Sequence, residues 1–163
     1  MNQYLYHGSI HKLNVGDFLV PNTNFDSNTT KLLHGVFATT KLDLAKYFGI
    51  INCVRKSGRS KKVGTKIYLE NPRSEILNKF YVYTVKKDNF VPDARHEYIC
   101  QNRVQIITAT EYDLITELEK GNWQIFITPA LDNTLSEQEK IIQMNQFIES
   151  GNIKKLGLKN PKI

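Results

Sequence analysis

The sequence predicts a mixed α+β domain, because it contains many short strand patterns and few helix patterns. Segment 80–85 is rich in the β-branched and aromatic residues that strands favour, and segment 66–70 is a strand pattern ended by Asn71-Pro72. Segment 111–120 has apolar residues at helical spacing. Segment 136–150 opens with a capping-box pattern and is followed by Gly151, which indicates a helix with defined ends.

The N-terminal part predicts three short strands, one loop and one helix. Short apolar runs indicate strands at 4–6, 18–20 and 36–38. Nearly every residue of 22–31 is Asn, Thr, Ser or Asp, which predicts a mobile polar loop. Thr40 is a candidate helix N-cap, so we expect a helix at 41–48 that stops at Gly49.

The rest of the chain predicts four strands and two helices, all within one domain that spans residues 1–163. The strands are expected at 66–70, 80–85, 98–108 and 122–128. The helices are expected at 111–120 and 136–150, and residues 151–163 are expected to form a basic tail. A chain of 163 residues is long enough to bury one core.

The composition indicates an ordinary globular protein with a formal net charge of +6. Cys53 and Cys100 have no CxxC partner and no metal-ligand spacing, so we expect two thiols and no metal site; a disulfide between them is the alternative. The apolar runs are too short to span a membrane, and the N-terminus lacks signal-peptide features. We therefore expect a cytoplasmic monomer that does not associate with membranes.

Positive charge is concentrated between Asp43 and Glu70, where no acidic residue interrupts the basic ones. Basic clusters attract phosphate-rich partners, so this region supplies candidate contacts to an acceptor molecule. The candidates are Arg55, Lys56, Arg59, Lys61 and Lys62. The Gly and Ser residues in the same run are also typical of a solvated loop, and both interpretations stay open.

Three separated motifs contain residue types that bind and polarise ligands. They are Tyr6-His7-Gly8-Ser9, then Gly35-Val36-Phe37-Ala38-Thr39 with Ala45 and Tyr47 after it, and His96-Glu97-Tyr98-Ile99. Each residue alone has a structural interpretation: His7 as a core histidine bonded to backbone, the aromatics as core residues, Glu97 as a surface carboxylate. Together and in this order, the motifs resemble the His-Tyr-Glu class of ADP-ribosyltransferases, with similarity to the rifampicin ADP-ribosyltransferases.

This resemblance, which covers roughly residues 4–128, implies two small packed antiparallel β-sheets with a few flanking helices and an NAD cleft between the sheets. It implies that the His7 ring bonds a ribose hydroxyl of NAD and that the Gly8 backbone holds the nicotinamide carboxamide. It also implies that Glu97 is the catalytic carboxylate. The remaining residues implied to contact NAD are Ser9, Phe37, Ala38, Thr39 and Tyr47.

The function that the resemblance implies is mono-ADP-ribosyl transfer from NAD to a protein, a nucleic acid or a small molecule, with release of nicotinamide. The small size fits a toxin or an antibiotic-modifying enzyme. Two positions depart from the polymerase pattern: Phe37 replaces a stacking tyrosine, and Leu44 replaces a serine that bonds the carboxamide. The alternatives are an inactive NAD- or ADP-ribose-binding module, an RNA 2′-phosphotransferase-like enzyme, and a basic nucleic-acid-binding protein without chemistry.

Overall fold

The computed structural model, which describes residues 3–26, 31–94 and 97–158, confirms the predicted α+β class. The helices are α1 (Leu42–Val54), α2 (Leu114–Lys120) and α3 (Glu137–Ser150). The strands are β1 (Tyr4–Ser9), β2 (Phe18–Leu19), β3 (Asn22–Asp26), β4 (Lys31–Thr39), β5 (Ser60–Val63), β6 (Lys66–Leu69), β7 (Lys79–Lys86), β8 (Val91–Ala94), β9 (Glu97–Cys100), β10 (Val104–Asp113), β11 (Gln124–Ile127) and β12 (Lys154–Lys155).

The chain divides into two compact units. Unit 1 comprises Met1–Ile50 and Lys79–Tyr112, and unit 2 comprises Ile51–Asn78 and Asp113–Ile163. Each unit has its own sheet, so the prediction of two sheets is confirmed. The expectation that the whole chain behaves as one domain stays a prediction.

Unit 1 is built on a sheet of eight strands in the order β2-β10-β7-β1-β4-β9-β8, with β3 paired to β4. β9 lies four inter-strand spacings from β10. In a flat sheet, this distance would be about 19 Å. The link from Cys100 to Val104 covers only four Cα–Cα steps, or about 15 Å at full extension. The sheet must therefore bend, so that its β4–β9 part turns towards its β7–β10 part.

A buried apolar cluster joins the two parts of this bent sheet. Leu5 on β1, Val85 on β7 and Ile106 on β10 are at most 1% exposed. They share one cluster with Val36 on β4 and Cys100 on β9. Burying each such aliphatic side chain contributes about 1.5–3 kcal/mol, so removal of apolar surface from water accounts for the bend.

Unit 2 contains a second sheet, with the strand order β12-β11-β6-β5. Strands β6 and β11 are parallel, with Ile67 beside Ile125, so the prediction that both sheets are antiparallel is wrong for this pair. The buried carboxylate of Glu70 follows β6 and accepts hydrogen bonds from the backbone N–H groups of Arg59 (3.0 Å) and Leu131 (2.8 Å). The charge is thus matched by two donors, as a buried carboxylate requires.

The segment predicted to be a mobile polar loop forms part of a β-hairpin instead. Strand β3 is antiparallel to β4, with Asn22 opposite Gly35 and Asp26 opposite Lys31. The loop prediction is therefore wrong for 22–26 and Lys31, whereas 27–30 lie outside the described residues. Asn and Asp are poor strand formers, so pairing with the long strand β4, and not local preference, explains β3.

Helix α1 continues past Gly49, where the sequence predicts its end. A Cβ atom at Gly49 would lie 2.3 Å from Cδ2 of Phe80, a residue of β7 that is fully buried. The glycine is therefore explained by the close approach of the Phe80 ring and not by helix termination.

Three other predicted boundaries change. The strand predicted at 98–108 is two strands, β9 and β10, separated by a turn. The helix predicted at 111–120 begins only at Leu114, because β10 runs to Asp113 and the Asp113 carboxylate caps α2 by accepting from the Thr116 N–H at 2.9 Å. The predicted basic tail contains β12, which pairs with β11. In contrast, the capping box and the Gly151 end of α3 are confirmed.

Both cysteines are buried thiols that are not joined in a disulfide, as expected for Cys53 and Cys100. Burial raises the pKa of the Cys53 thiol to about 12, so this thiol stays protonated at neutral pH. Across residues 3–26, 31–94 and 97–158, no helix combines the length and the apolar character needed to cross a membrane.

Candidate active site

The strands that carry the three motifs are neighbours in the sheet of unit 1. Tyr6 on β1 lies opposite Thr39 on β4, and Thr39 lies opposite Glu97 on β9. His96, the first residue of the third motif, lies outside the described residues. The sheet thus brings together in one row three segments that are about 30 and 60 residues apart in the chain.

His7 follows Tyr6 on β1, and its side chain reaches the backbone of the neighbouring strand β4. Its Nδ1 atom lies 2.6 Å from the carbonyl oxygen of Phe37. A carbonyl oxygen only accepts hydrogen bonds, so Nδ1 carries the proton and Nε2 is the acceptor nitrogen of the neutral ring. Burial lowers the pKa of His7, and the Phe37 carbonyl opposes that shift only in part. The neutral tautomer with an Nε2 acceptor is therefore the form at pH 7.

The lowered pKa of His7 predicts a pH dependence of stability. The unfolded chain binds a proton at His7 near pH 6.5, whereas the folded chain resists protonation, so the free energy of unfolding falls as pH decreases from 6.5 through the folded pKa. Above pH 6.5 the contribution is constant. We expect urea titrations between pH 7.5 and 5 to show a smaller loss of stability for His7→Gln than for the wild type. Equal losses in the two proteins would contradict this role.

Gly8 lies where β1 packs directly against the backbone of helix α1. A Cβ atom at Gly8 would lie 2.0 Å from the carbonyl oxygen of Ala45 and 3.1 Å from the backbone nitrogen of Gly49. The absence of a side chain is therefore required by helix packing, whether or not Gly8 also contacts a ligand. The contact sets the position of the helical turn that follows Ala45, and that turn carries Tyr47.

The side chains of β4 divide between two faces of the sheet. Phe37 lies opposite Ile99, and Thr39 lies opposite Glu97. Because strand side chains alternate, Phe37, Thr39 and Glu97 share one face of β4 and β9, whereas Ala38 points into the apolar core and is 4% exposed. Alternation along β1 puts His7 on the other face, because His7 lies opposite Tyr83, which packs with Ala38 in the apolar cluster. The structure thus places Phe37 and Glu97 on one face and His7 and Ala38 on the opposite one, and the roles implied for these residues stay predictions.

The two hydroxyl residues predicted to contact NAD have local backbone partners. Ser9 Oγ accepts a hydrogen bond from the His11 N–H at 3.0 Å, and Thr39 Oγ1 accepts one from the Lys41 N–H at 3.1 Å. Both residues are buried. They turn the chain where β1 and β4 end, and their contact with NAD stays a prediction.

Tyr47 lies on α1, and its side chain is 9% exposed. Its ring centroid is 5.7 Å from that of Phe48, with the planes tilted by 55°. Leu44, which replaces a polar residue of the resembled family, is partly buried on the same helix. The largely buried ring suits either a core aromatic or a platform exposed only at one edge, so the stacking role stays a prediction.

Tyr83 has a structural role that the sequence does not reveal. It lies opposite His7 on β7 and is fully buried. Its hydroxyl donates to the carbonyl oxygen of His11 and accepts from the N–H of Leu13 at 2.7 Å. Tyr83 thereby anchors the segment that follows the first motif. Its strand pattern indicates only a β residue, because the partner backbone is 70 residues away in the chain.

The basic segment 55–62, in unit 2, is partly structural. The Arg55 guanidinium donates to the Gly58 carbonyl at 2.7 Å, and Arg59 pairs with Glu137 while its side chain is 13% exposed. Lys56 is exposed in the turn, whereas Lys61 and Lys62 are exposed on β5. The solvated-loop interpretation is therefore wrong for 60–62, and the predicted acceptor contacts of all five residues stay predictions.

A groove of about 240 Å³ occupies another part of unit 1, next to the turns after β7 and β9. Its polar lining consists of Lys86, Asp88, Asn89, Asn102, Arg103 and Gln105. None of its lining residues belongs to the three motifs. The predicted site is therefore defined by the strand register and by His7, and not by this groove.

Comparisons of the chain with family models, with curated proteins and with solved structures give no match. The three motifs and their geometry in unit 1 are thus the observations from which a function can be argued.

Proposed function

We propose that this chain is an NAD-dependent mono-ADP-ribosyltransferase. The observation that carries the proposal is the juxtaposition of the three motifs on β1, β4 and β9, with Tyr6, Thr39 and Glu97 in one row. The motifs alone could be coincidental, because each is short. Their adjacency in a sheet is an independent requirement of a shared site, and it supports the proposal.

The reaction needs charge stabilisation more than covalent chemistry. The bond between C1′ of the ribose and the nicotinamide nitrogen breaks, and its electron pair leaves with nicotinamide. The acceptor nucleophile forms a new bond to C1′ and loses its proton to solvent. In between, the ribose ring carries positive charge, which a nearby carboxylate stabilises. Glu97 is the carboxylate proposed for this role, accepting a hydrogen bond from the ribose 2′-hydroxyl.

His7 has the protonation state that binding a sugar hydroxyl requires. Because Nδ1 donates to the Phe37 carbonyl, Nε2 can accept a hydrogen bond from a ribose hydroxyl. The bond to Phe37 also fixes the ring orientation, so little side-chain entropy is lost when a ligand binds. Phe37 and Tyr47 are the proposed aromatic contacts of the nicotinamide ring.

A non-catalytic NAD-binding module is the second candidate. Phe37 lacks a hydroxyl, and Leu44 offers no hydrogen bond to a carboxamide. Both features reduce the hydrogen bonding available to the nicotinamide leaving group, but they keep the apolar surface against which its ring would pack. Both candidates bind NAD, but only the transferase cleaves it and releases nicotinamide.

Two measurements on the same protein distinguish these candidates. Nicotinamide release from NAD is followed by chromatography, with and without a cell lysate as a source of acceptors, and NAD affinity is measured by calorimetry. A transferase releases nicotinamide, and the rate increases with lysate. Saturable binding without release supports the binding module, provided that His7→Ala weakens the binding by about tenfold, as loss of a hydrogen bond predicts. Absence of both binding and release would refute both candidates.

A further inference from the structure

The groove of about 240 Å³ in unit 1 lies at one end of the sheet, between the turn that follows β7 and the turn that precedes β10. Thr108 on β10 donates to Thr84 on β7, with 2.6 Å between their hydroxyl oxygens. Further along the same strands, Lys79 of β7 pairs with Glu111 of β10 at 3.0 Å. The two strands are therefore antiparallel, and this pairing brings the C-terminal end of β7 beside the N-terminal end of β10.

The groove combines apolar and polar lining residues. Cys100 is 3% exposed, and Val104 and Ile107 are partly buried. A concave site in which a few polar side chains converge on apolar surface is the usual form of a site for a small ligand. The polar lining residues are all exposed, and they are Lys86, Asp88, Asn89, Asn102, Arg103 and Gln105.

Two of the polar side chains are held in place by the neighbouring segment that contains β2. The guanidinium carbon of Arg103 lies 4.2 Å from the centroid of the Phe18 ring, which is a cation–π contact. The Gln105 amide donates to the carbonyl oxygen of Gly16 at 3.2 Å. Stacking on Phe18 uses one face of the guanidinium and leaves its in-plane N–H groups to bind an anion. Arg103 is therefore oriented in advance, which reduces the entropy lost when a ligand binds.

The turn between β7 and β8 contributes Lys86, Asp88 and Asn89 to the groove. The Phe90 N–H donates to the Lys87 carbonyl oxygen at 3.1 Å, and Asn89 has a left-handed backbone with a φ of 66°. Asparagine tolerates this conformation better than most residues, so the turn itself explains Asn89. In contrast, the side chains of Lys86 and Asp88 have no hydrogen-bond or ion-pair partner among the residues that the structure describes.

The charges of the groove favour an anion that also carries hydroxyl groups. Lys86 and Arg103 supply two positive charges against the one negative charge of Asp88, and none of the three forms an ion pair within residues 3–26, 31–94 and 97–158. An arginine fork and a lysine ammonium are the groups that proteins use to bind phosphate. Asp88 would repel a bare phosphate, but a carboxylate accepts hydrogen bonds from hydroxyl groups, and so does the carbonyl oxygen of an asparagine side chain.

We propose that this groove binds a phosphorylated sugar, with the phosphate at Lys86 and Arg103 and the sugar hydroxyls at Asp88 and Asn102. The volume of about 240 Å³ lies just below the range of sites for drug-sized ligands, as a ligand of the size of a pentose phosphate requires. None of the lining residues belongs to the three motifs, so the proposal does not rest on the proposed transferase activity.

Isothermal titration calorimetry with ribose 5-phosphate, in the absence of NAD, tests this proposal. Lys86→Gln and Arg103→Gln are each expected to weaken binding about tenfold, as loss of a charge-assisted hydrogen bond predicts. Lys12→Gln is the matched control, because it removes the same charge from an exposed position that does not line the groove, and it is expected to retain wild-type affinity. Because Arg103 contacts Phe18, thermal unfolding verifies the fold of its variant. Equal losses in the Lys86 and Lys12 variants would refute the proposal.

Asp88→Asn distinguishes a phosphorylated sugar from a simple anion. It is expected to weaken ribose 5-phosphate binding about fivefold, since a charged acceptor of hydroxyl groups is lost. The same change is expected to strengthen binding of inorganic phosphate about twofold, since a like charge is removed. A variant that bound both compounds more tightly would show that the groove holds anions without reading hydroxyl groups, which would overturn the assignment.

A comparison of two probes identifies the source of the sugar phosphate. Equal affinities for ribose 5-phosphate and adenosine 5′-monophosphate would support a free sugar phosphate as the ligand, and tighter binding of the second would support a nucleotide. Inorganic phosphate binding as tightly as ribose 5-phosphate would contradict the proposal. Absence of saturable binding of ribose 5-phosphate to the wild type at concentrations up to about 20 mM would refute it directly.

Discussion

Replacing Glu97 by glutamine is expected to lower nicotinamide release by about 10²- to 10³-fold, while NAD affinity changes by less than about threefold. The physical reason is that glutamine has the same shape and can still bond a hydroxyl, but it carries no negative charge. The positive charge of the reacting ribose exists only in the transition state, so loss of the carboxylate affects the rate and leaves ground-state binding nearly unchanged.

Glu97→Gln is expected to keep the fold, because glutamine fills the same volume as glutamate at this strand position, and circular dichroism of the variant checks this. The backbone of Glu97 belongs to the β4–β9 ladder opposite Thr39, and its side chain is only partly buried. Glu111→Gln is the matched control, because Glu111 is another strand glutamate of unit 1, with an exposed ion pair to Lys79 at 3.0 Å. It is expected to retain wild-type release. If the Glu97 variant released nicotinamide at the wild-type rate, the catalytic assignment would be wrong even if NAD binding were real.

The second large effect is expected for Gly8→Ala, which should reduce the free energy of unfolding by about 3 kcal/mol or more. The new methyl group would lie 2.0 Å from the Ala45 carbonyl oxygen, far inside van der Waals contact. Because that obstacle is helix backbone and not a flexible side chain, α1 must move as a whole. The same displacement shifts Tyr47, so NAD affinity is expected to fall as well.

Gly157→Ala is the matched control for this substitution. Among the described residues, leaving aside its two chain neighbours, none has a heavy atom within 4 Å of a Cβ atom built at Gly157, and the Gly157 backbone is not in the left-handed region. Its stability is expected to stay within about 0.5 kcal/mol of the wild type, as for most surface substitutions. Urea titrations analysed by linear extrapolation measure both variants. A Gly8 variant as stable as the Gly157 variant would show that β1 does not pack on α1 as described.

Sequence patterns predict those helices and strands whose ends are determined by a few neighbouring residues. The capping box at Ser136 and the left-handed Gly151 define α3, and both act within one helical turn. The core strand β7 was predicted within one residue at each end, because a run of aromatic and β-branched residues has few other ways to be buried.

The missed elements are those that depend on distant partners. Strand β3 is polar and exists by pairing with β4, and β12 exists by pairing with β11. Helix α1 passes through Gly49 because Phe80, 31 residues later, occupies the space that a side chain would need. None of these partners is visible in a short sequence window.

For the candidate site, the amino-acid sequence identifies the residues to consider: a histidine, a glycine, two aromatics and a glutamate in three motifs. The neighbourhood of β1, β4 and β9, the shared face of Phe37 and Glu97, and the donation from His7 Nδ1 are visible only in the folded unit. The physical reason is that chemistry depends on side-chain type, which is local, whereas proximity and tautomer depend on strand pairing and burial, which involve the whole unit.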